Sequence, residues 1–159
     1  IIVFKLPGQE NINYVKRLVG LPGETIKVVN GKIYLKTQNS TDFEVLDQVE
    51  DGFFYDDQYG KEIQQLIENE YRILNITNDG PLDNTPEYEI PKDKFFFMGD
   101  NRDNSSDSRI LSGVGFVPKV NIVGKVWFIW FSVDTHFSLS KFWNLPFHIR
   151  YDRLFNTIK

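Results

Sequence analysis

The chain has 159 residues and a formal net charge of −4, enough length for one substantial hydrophobic core. It has no cysteine, so disulfides, thiolate catalysis and cysteine-ligated metals are excluded, and no basic cluster marks a nucleic-acid-binding surface. With only two histidines, a Ser/His/Asp triad or a two-histidine metal site is poorly supported, and we expect no metal and no cofactor. Aromatic residues make up 15% of the chain, which favours a β-rich fold.

The N-terminal part is predicted to be an antiparallel meander. Its four strands cover residues 1–6, 12–19, 25–29 and 32–36. Pro22-Gly23 fits the central positions of a type II turn, because proline presets φ and glycine accepts a positive φ. Asn30-Gly31 is the strongest short hairpin signal and separates the third strand from the fourth.

The segment of residues 38–89, here called the acidic segment, differs from the rest of the chain in its charge. It holds 14 Asp/Glu and 2 Lys/Arg, whereas the remainder holds 8 Asp/Glu and 16 Lys/Arg. A short helix is predicted over residues 61–69, because Ile63, Leu66 and Ile67 would share one face. The rest reads as irregular, apart from a strand at residues 71–77, and we interpret the acidic segment as an inserted subdomain.

Further strands are predicted at residues 94–98 and 122–133. The chain therefore divides into an antiparallel β core (1–37 and 90–135), the inserted subdomain (38–89) and an aromatic, basic tail (136–159). Trp and Phe beside Lys and Arg in that tail suit a membrane interface. They suit a terminal segment packed on the sheet equally well, and the sequence leaves both readings open.

Lys16 is the first candidate for chemistry, because it stands inside a predicted apolar strand. Side chains alternate faces along a strand, so Lys16 shares a face with Tyr14 and Leu18. Such neighbours desolvate the amine, which lowers its pKa and prepares it to act as a general base. The alternative is an ordinary strand lysine whose ammonium reaches solvent.

The run GDNRDNSSDSR at residues 99–109 is the second candidate. It packs three carboxylates, two guanidiniums and three hydroxyls into eleven residues after a predicted strand. This density indicates a loop tied to itself by ion pairs and hydrogen bonds, which fixes side chains in place. A calcium loop is excluded, because Ser108 and Val114 stand where the glycine and glutamate of that motif belong. Considered by itself, the run is also compatible with a loop that has only a structural role.

These two segments, YVKRLVGLPGE at 14–24 and MGDNRDNSSDSR at 98–109, resemble two signature boxes of bacterial type I signal peptidases, in the same order. The segment GFVP at 115–118, followed by IVGK at 122–125, resembles the next box of that family. The resemblance covers about residues 1–36 and 90–133. It implies an antiparallel β domain of the signal-peptidase or LexA-like type, carrying a serine protease with a Ser/Lys dyad.

The resemblance also assigns roles to particular residues. Lys16 matches the general base, and Ser105 matches the loop serine that orients it. Tyr14 and Val15 would pair with an extended substrate and help to line its small-residue pockets. Two ion pairs would brace the site, formed by Arg17 with Asp100 and by Asp107 with Arg109.

One departure from the family pattern concerns the nucleophile. The family places its nucleophilic serine in a Ser-Met-x-Pro-like box before the first strand seen here, and no such box occurs in this sequence. We therefore expect the chain, as given, to lack the nucleophile and the transmembrane anchor and to be inactive alone.

The expected parent enzyme removes signal peptides from exported proteins after a small-x-small motif. It would sit in the bacterial cytoplasmic membrane with this domain on the extracytoplasmic side, in contact with preproteins and anionic lipid. Two alternatives are a non-catalytic membrane-associated β module that binds exported peptides and a self-cleaving domain of the LexA type.

Overall fold

The computed structural model describes residues 1–56, 60–133 and 148–158, and they form two compact units, residues 1–124 and 125–159. The named strands are β1 Ile2–Leu6, β2 Gln9–Gly20, β3 Thr25–Val29, β4 Lys32–Lys36, β5 Glu44–Val45, β6 Gln48–Asp56, β7 Lys61–Glu68, β8 Tyr71–Asn75, β9 Tyr88–Glu89, β10 Lys94–Met98, β11 Val117–Pro118 and β12 Ile122–Lys125. Short 3-10 helices cover Lys119–Asn121 and Tyr151–Arg153. The predicted mainly antiparallel β class is confirmed.

The first sheet has five strands in the order β11-β10-β2-β1-β12. The long strand β2 lies at its centre, where its first part pairs with β1 and its last residues pair with β10. In this register Lys16 lies opposite Ile2, and Arg17 lies opposite Met98 at the end of β10. The loop that follows β10 therefore begins beside Lys16.

The second sheet has the order β5-β4-β3-β9, and its turns follow the sequence signals. Asn30 and Gly31 have φ values of 49° and 75°, the two positive angles that a type I′ hairpin turn requires. Gly23 has a φ of 81°, which agrees with the predicted type II turn after Pro22. Strands β3 and β4 start and end at the predicted residues.

The third sheet, β6-β7-β8, corrects the prediction for the acidic segment. The helix predicted over 61–69 is wrong, because these residues form β7. Ile63 and Ile67 face one side of the sheet and Leu66 faces the other, which places apolar side chains on both surfaces. A short apolar run cannot distinguish a helix from such a strand by periodicity.

The last predicted strand is also shorter than expected. Strand β12 ends at Lys125, and beyond it the chain makes isolated bridges, from Phe128 to Thr157 and from Val133 to Ile149. Residues 134–147 and 159 lie outside the described residues, and they include about half of the predicted tail (136–159). Among the described residues, no helix has the length and apolar content to cross a membrane.

Strand β10 lies between two hydrophobic clusters and presents alternate side chains to them. Phe96 and Met98 pack with Ile26, Val28, Ile33, Tyr88 and Ile90. Phe97 packs with Phe4, Leu6, Val114 and Val117, and Tyr14 and Leu18 of β2 cover this second cluster. With both faces of β10 fixed in apolar cores, the start of the polar loop that follows it has a defined position.

Candidate active site

The lysine of β2 and the serine of the polar loop meet directly, although they are 89 residues apart in the chain. Nζ of Lys16 donates a hydrogen bond to Oγ of Ser105 over 2.7 Å. Lys16 is half-buried and Ser105 is buried. The Lys16 amine also lies 5.6 Å from the ring centre of Tyr14, on the face that the alternation of β2 predicts.

Gly99 makes this contact possible, because it leaves no side chain between the strand and the loop. A Cβ atom at Gly99 would overlap the side chain of Ser105 and lie 3.3 Å from Nζ of Lys16. Only glycine allows the backbone after β10 to approach both side chains so closely. The glycine at the head of the loop thus has a specific steric function.

The environment of Lys16 favours the neutral amine. Burial lowers the pKa of Lys16 from its ordinary value. Asp107 opposes this effect, Arg109 adds to it, and Asp100 opposes it weakly. The paired guanidinium beside Asp107 limits the attraction of that carboxylate for a proton on Lys16. Desolvation therefore dominates, as a general base working near neutral pH requires.

The ion pair between Asp107 and Arg109 lies in the buried interior of the loop. Nε and Nη2 of Arg109 each bond one Asp107 oxygen at 2.9 Å, and both side chains are almost fully excluded from solvent. Asp107 also accepts a hydrogen bond from the backbone N–H of Gly99 at 3.0 Å. Ser108 Oγ accepts one from the N–H of Phe97 at 2.9 Å. These bonds fasten the loop to the end of β10.

A second ion pair joins β2 to the same loop. The guanidinium of Arg17 binds both carboxylate oxygens of Asp100, at 2.8 and 2.9 Å. This bidentate geometry holds two planar groups in one orientation. Because Arg17 follows Lys16 directly, the pair fixes the lysine strand against the loop at the residue beside the amine.

An open strand edge and a small cavity lie next to this centre. Within the described part of the chain, β10 pairs only with Arg17, Leu18 and Gly20 of β2, so the first part of β2 has one edge without a strand partner. Val15 is exposed there. A cavity of about 240 Å³ is lined by Leu6, Pro7, Gly8, Gln9, Tyr14, Ser106, Ser112, Gly113 and Val114.

The structure thus brings every predicted site residue to one region of the five-stranded sheet: Tyr14, Val15, Lys16, Arg17, Asp100, Ser105, Asp107 and Arg109. Glu68 and Tyr71 were not predicted as site residues, but they contact loop and strand residues of this centre. In the sequence they look like ordinary polar positions of an acidic segment. In the described residues, no group of three or more His, Cys, Asp or Glu side chains is arranged to hold a metal.

The fold and site define a mainly antiparallel β protein whose polar centre is a desolvated lysine held on a serine hydroxyl. Residues 1–131 match the family described as "Signal peptidase, peptidase S26". The chain belongs to this family, and the resemblance found in its sequence is confirmed.

Named relatives agree with this assignment. The chain is 35% identical over 142 residues to a signal peptidase I of Rickettsia bellii, covering 83% of this chain and 46% of the relative. It is 36% identical over 141 residues to a signal peptidase I of Rickettsia typhi, covering 83% and 51%. The chain thus spans about half the length of these relatives. A crystal structure of a signal peptidase I from Enterococcus faecalis V583 is similar with a TM-score of 0.46 and 25% identity, over 77% of this chain and 89% of that one.

Proposed function

We propose that this chain is the extracytoplasmic part of a serine endopeptidase that removes signal peptides from exported proteins after a small-x-small motif. The observation that carries the proposal is the contact between Lys16 Nζ and Ser105 Oγ, made by an amine whose pKa burial lowers. The family membership and the names of the relatives supply the substrate class.

In the proposed mechanism Lys16 is the general base. Its neutral amine takes the proton of a nucleophilic serine hydroxyl as that oxygen attacks the scissile carbonyl. The ammonium then gives the proton to the departing amine, leaving an acyl-enzyme. In the second step the amine takes a proton from a water molecule as the water attacks the ester. The ammonium then returns this proton to the departing serine oxygen, which frees the acid product and the neutral lysine. Ser105 accepts a hydrogen bond from Nζ and orients it through both steps.

The nucleophile in this proposal is a serine outside the printed sequence. Ser105 itself is poorly suited to attack a substrate, because it is buried and its oxygen is engaged by Lys16. Ser106 is exposed and lines the nearby cavity, so it is the serine of this sequence to be tested as an alternative nucleophile. The 159 residues alone are therefore expected to show no turnover.

Substrate binding is assigned to the open edge of β2. An extended peptide would add to this edge as a further strand, with its backbone paired near Val15 and small side chains directed toward the cavity beside Tyr14. Asp107 with Arg109, and Arg17 with Asp100, would hold the amine in register during the reaction.

The proposal also places this domain at the extracytoplasmic face of a bacterial cytoplasmic membrane. In residues 125–159 the side chains of Trp127, Trp130 and Phe155 are strongly exposed. The same stretch of sequence contains five Lys/Arg and two Asp/Glu. Exposed aromatics beside cations suit the interface of an anionic bilayer.

The test is cleavage of a preprotein by the full-length parent protein carrying Lys16→Ala or Lys16→Arg. Both variants should lose cleavage, because neither offers an amine that can be neutral near pH 7. Lys27→Ala is the matched control, since Lys27 is another strand lysine with its own exposed partner, Glu87. Retained cleavage in either Lys16 variant would remove the proposed base.

The 159-residue chain alone is assayed alongside, together with Ser106→Ala in the parent. Turnover by the chain alone would place the nucleophile in this sequence instead. Loss of cleavage by a folded parent protein that carries Ser106→Ala would do the same.

A further inference from the structure

The acidic segment supplies a buried carboxylate to the polar loop of residues 99–109, here called the site loop. Glu68, at the end of β7, forms a bidentate ion pair with Arg102, including a bond of 2.7 Å from Nη1 to Oε1. Glu68 is 0% exposed and Arg102 is 2% exposed. Gln48 donates to the same carboxylate at 2.8 Å, and the hydroxyl of Tyr71 donates to it at 2.6 Å. A buried pair with this number of hydrogen bonds has a single favourable geometry.

Tyr71 extends this cluster to the lysine strand. Its ring lies under the guanidinium of Arg17, with Cζ of Arg17 3.7 Å from the ring centre. Arg17 in turn holds Asp100 of the loop and is the residue after Lys16. The cluster of Glu68, Arg102 and Tyr71, here called the Glu68 cluster, therefore contacts both the strand that carries the amine and the loop that carries Ser105.

Backbone pairing joins the same elements independently of these side chains. The N–H of Leu74 in β8 donates to the carbonyl of Asp100 at 2.8 Å, and the N–H of Arg102 donates to the carbonyl of Leu74 at 2.9 Å. The carbonyl of Arg102 accepts a bond from Nη2 of Arg109, which belongs to the inner ion pair of the loop. Strand β8 thus runs beside the site loop as a short parallel partner.

We propose that the Glu68 cluster positions the catalytic centre: Glu68, through Arg102 and Tyr71, sets the separation of the site loop and β2 and so holds Ser105 on Lys16. Glu68 and Tyr71 are positioning residues supplied by the acidic segment, and Arg102 belongs to the loop that they support. None of the three touches Lys16 or the reacting atoms. The inference rests on the proposed function, because it takes Lys16 to be the working base.

Disrupting the Glu68 cluster should raise the pKa of Lys16, whereas the direct electrostatic effect of removing Glu68 would lower it. The charges that act on Lys16 are those of Asp107, Arg109 and Asp100. Removing a distant anion would by itself lower the pKa of an amine, because an anion favours the ammonium form. Loosening the loop would instead hydrate Lys16 and raise its pKa, because desolvation is the main cause of its depression.

The experiment is an NMR titration of Lys16 in the 159-residue chain, with the Lys16 signal assigned by its loss in Lys16→Arg. Glu68→Gln removes the charge of the cluster and keeps its shape, and Tyr71→Leu removes both the phenol and the ring under Arg17. The Lys16 pKa should rise toward the ordinary lysine value in both variants. In the full-length parent the same variants should lower kcat about tenfold with little change in KM, as expected for a misplaced catalytic group.

Arg72→Gln is the matched control on the same strand. Arg72 follows Tyr71 but faces the other side of the sheet, where it pairs with Asp51 at 2.6 Å and is 69% exposed. This variant should leave the Lys16 titration and kcat unchanged. The melting temperature of every variant is measured, because a merely structural role lowers stability without moving the Lys16 pKa of the folded protein.

The Lys16 titration distinguishes failure of this inference from failure of the proposed function. A Lys16 pKa that is unchanged or lower in folded Glu68→Gln and Tyr71→Leu overturns the inference and leaves the proposed function intact. If Glu68→Gln does not fold, the folded Tyr71→Leu variant decides alone. An ordinary Lys16 pKa in the unsubstituted parent would instead contradict the proposed function itself.

Discussion

At the scale of single residues, the site depends on Lys16, whose amine loses hydration on burial, and on Gly99, which has no side chain. Lys16 gains a serine partner but loses solvation, so the role proposed for it would be obtained at a cost in stability. Gly99 gives the loop room to bring that serine close. Lys16 and Gly99 act together, because a methyl group at Gly99 would overlap the Ser105 side chain that bonds Lys16.

Gly99→Ala should separate Ser105 from Lys16. The added methyl group would overlap Ser105, and the buried neighbours Asp107 and Phe97 leave the loop little freedom to move. We expect a stability loss of about 1–3 kcal/mol and a fall in cleavage by the parent protein of about tenfold or more. Urea unfolding and a cleavage assay measure the two effects.

Gly124→Ala is the control for this substitution, because a Cβ there meets nothing within 4 Å and the φ is not positive. It should be close to neutral. Full activity in Gly99→Ala would show that the close approach at Gly99 is not needed for the reaction.

At the scale of elements, strands β6, β7 and β8 of the acidic segment form a sheet whose edge strand β8 supports the loop. Strand β8 contributes backbone bonds to the loop, and the end of β7 contributes the buried carboxylate of Glu68. Burial opposes the ionisation of Glu68, but the hydrogen bonds and charge of Arg102 outweigh it and lower the Glu68 pKa. The ion pair therefore links the stability of this interface to pH.

Because its pKa is lowered on folding, Glu68 stabilises the protein above its unfolded-state pKa, and this contribution is lost as the pH falls through the folded-state value. At pH 7, Glu68→Gln leaves the buried Arg102 uncompensated and should cost about 3–5 kcal/mol in the free energy of unfolding. The difference between this variant and the unsubstituted chain should shrink on acidification below about pH 4.5.

Urea unfolding over a series of pH values tests this. Glu87→Gln is a control, because its pair with Lys27 is solvent-exposed and such pairs contribute little to stability. A deficit in Glu68→Gln that stays constant down to pH 2–3 would contradict the assignment of a lowered Glu68 pKa.

At the scale of the whole molecule, charge and exposed aromatics are distributed unequally along the chain. The acidic segment carries most of the negative charge, whereas residues 125–159 combine a basic excess with exposed Trp127, Trp130 and Phe155. An anionic surface would repel the former and attract the latter.

The 159-residue chain should therefore bind vesicles that contain anionic lipid, and salt should weaken the binding through screening. Trp127→Ser with Trp130→Ser should reduce it, because both side chains would insert at the interface. Val120→Ser is a control, since Val120 is 90% exposed but lies outside residues 125–159. Sedimentation with neutral and anionic vesicles measures binding, and equal partitioning onto both would contradict the proposed membrane surface.

The order of strands near the N-terminus could be predicted from local patterns, and the candidate site residues could be proposed from the family resemblance. Asn30-Gly31 and Pro22-Gly23 impose their own backbone geometry, so the turns are encoded within a few residues. Alternation along β2 placed Lys16 beside Tyr14. The motif at residues 99–109 was specific enough to indicate the family, which the match over residues 1–131 shows.

The form of the acidic segment and its contact with the site were decided only in three dimensions. Ile63, Leu66 and Ile67 suit a helix face as well as a strand buried on both sides, and the neighbouring strands β6 and β8 settle the choice. From the sequence, Glu68 is indistinguishable from the solvated acids around it. Folding brings it to Arg102, 34 residues away in the chain. Local sequence carries turn geometry and side-chain alternation, but long-range pairing depends on which surfaces the whole chain can bury together, and that is a property of the tertiary structure.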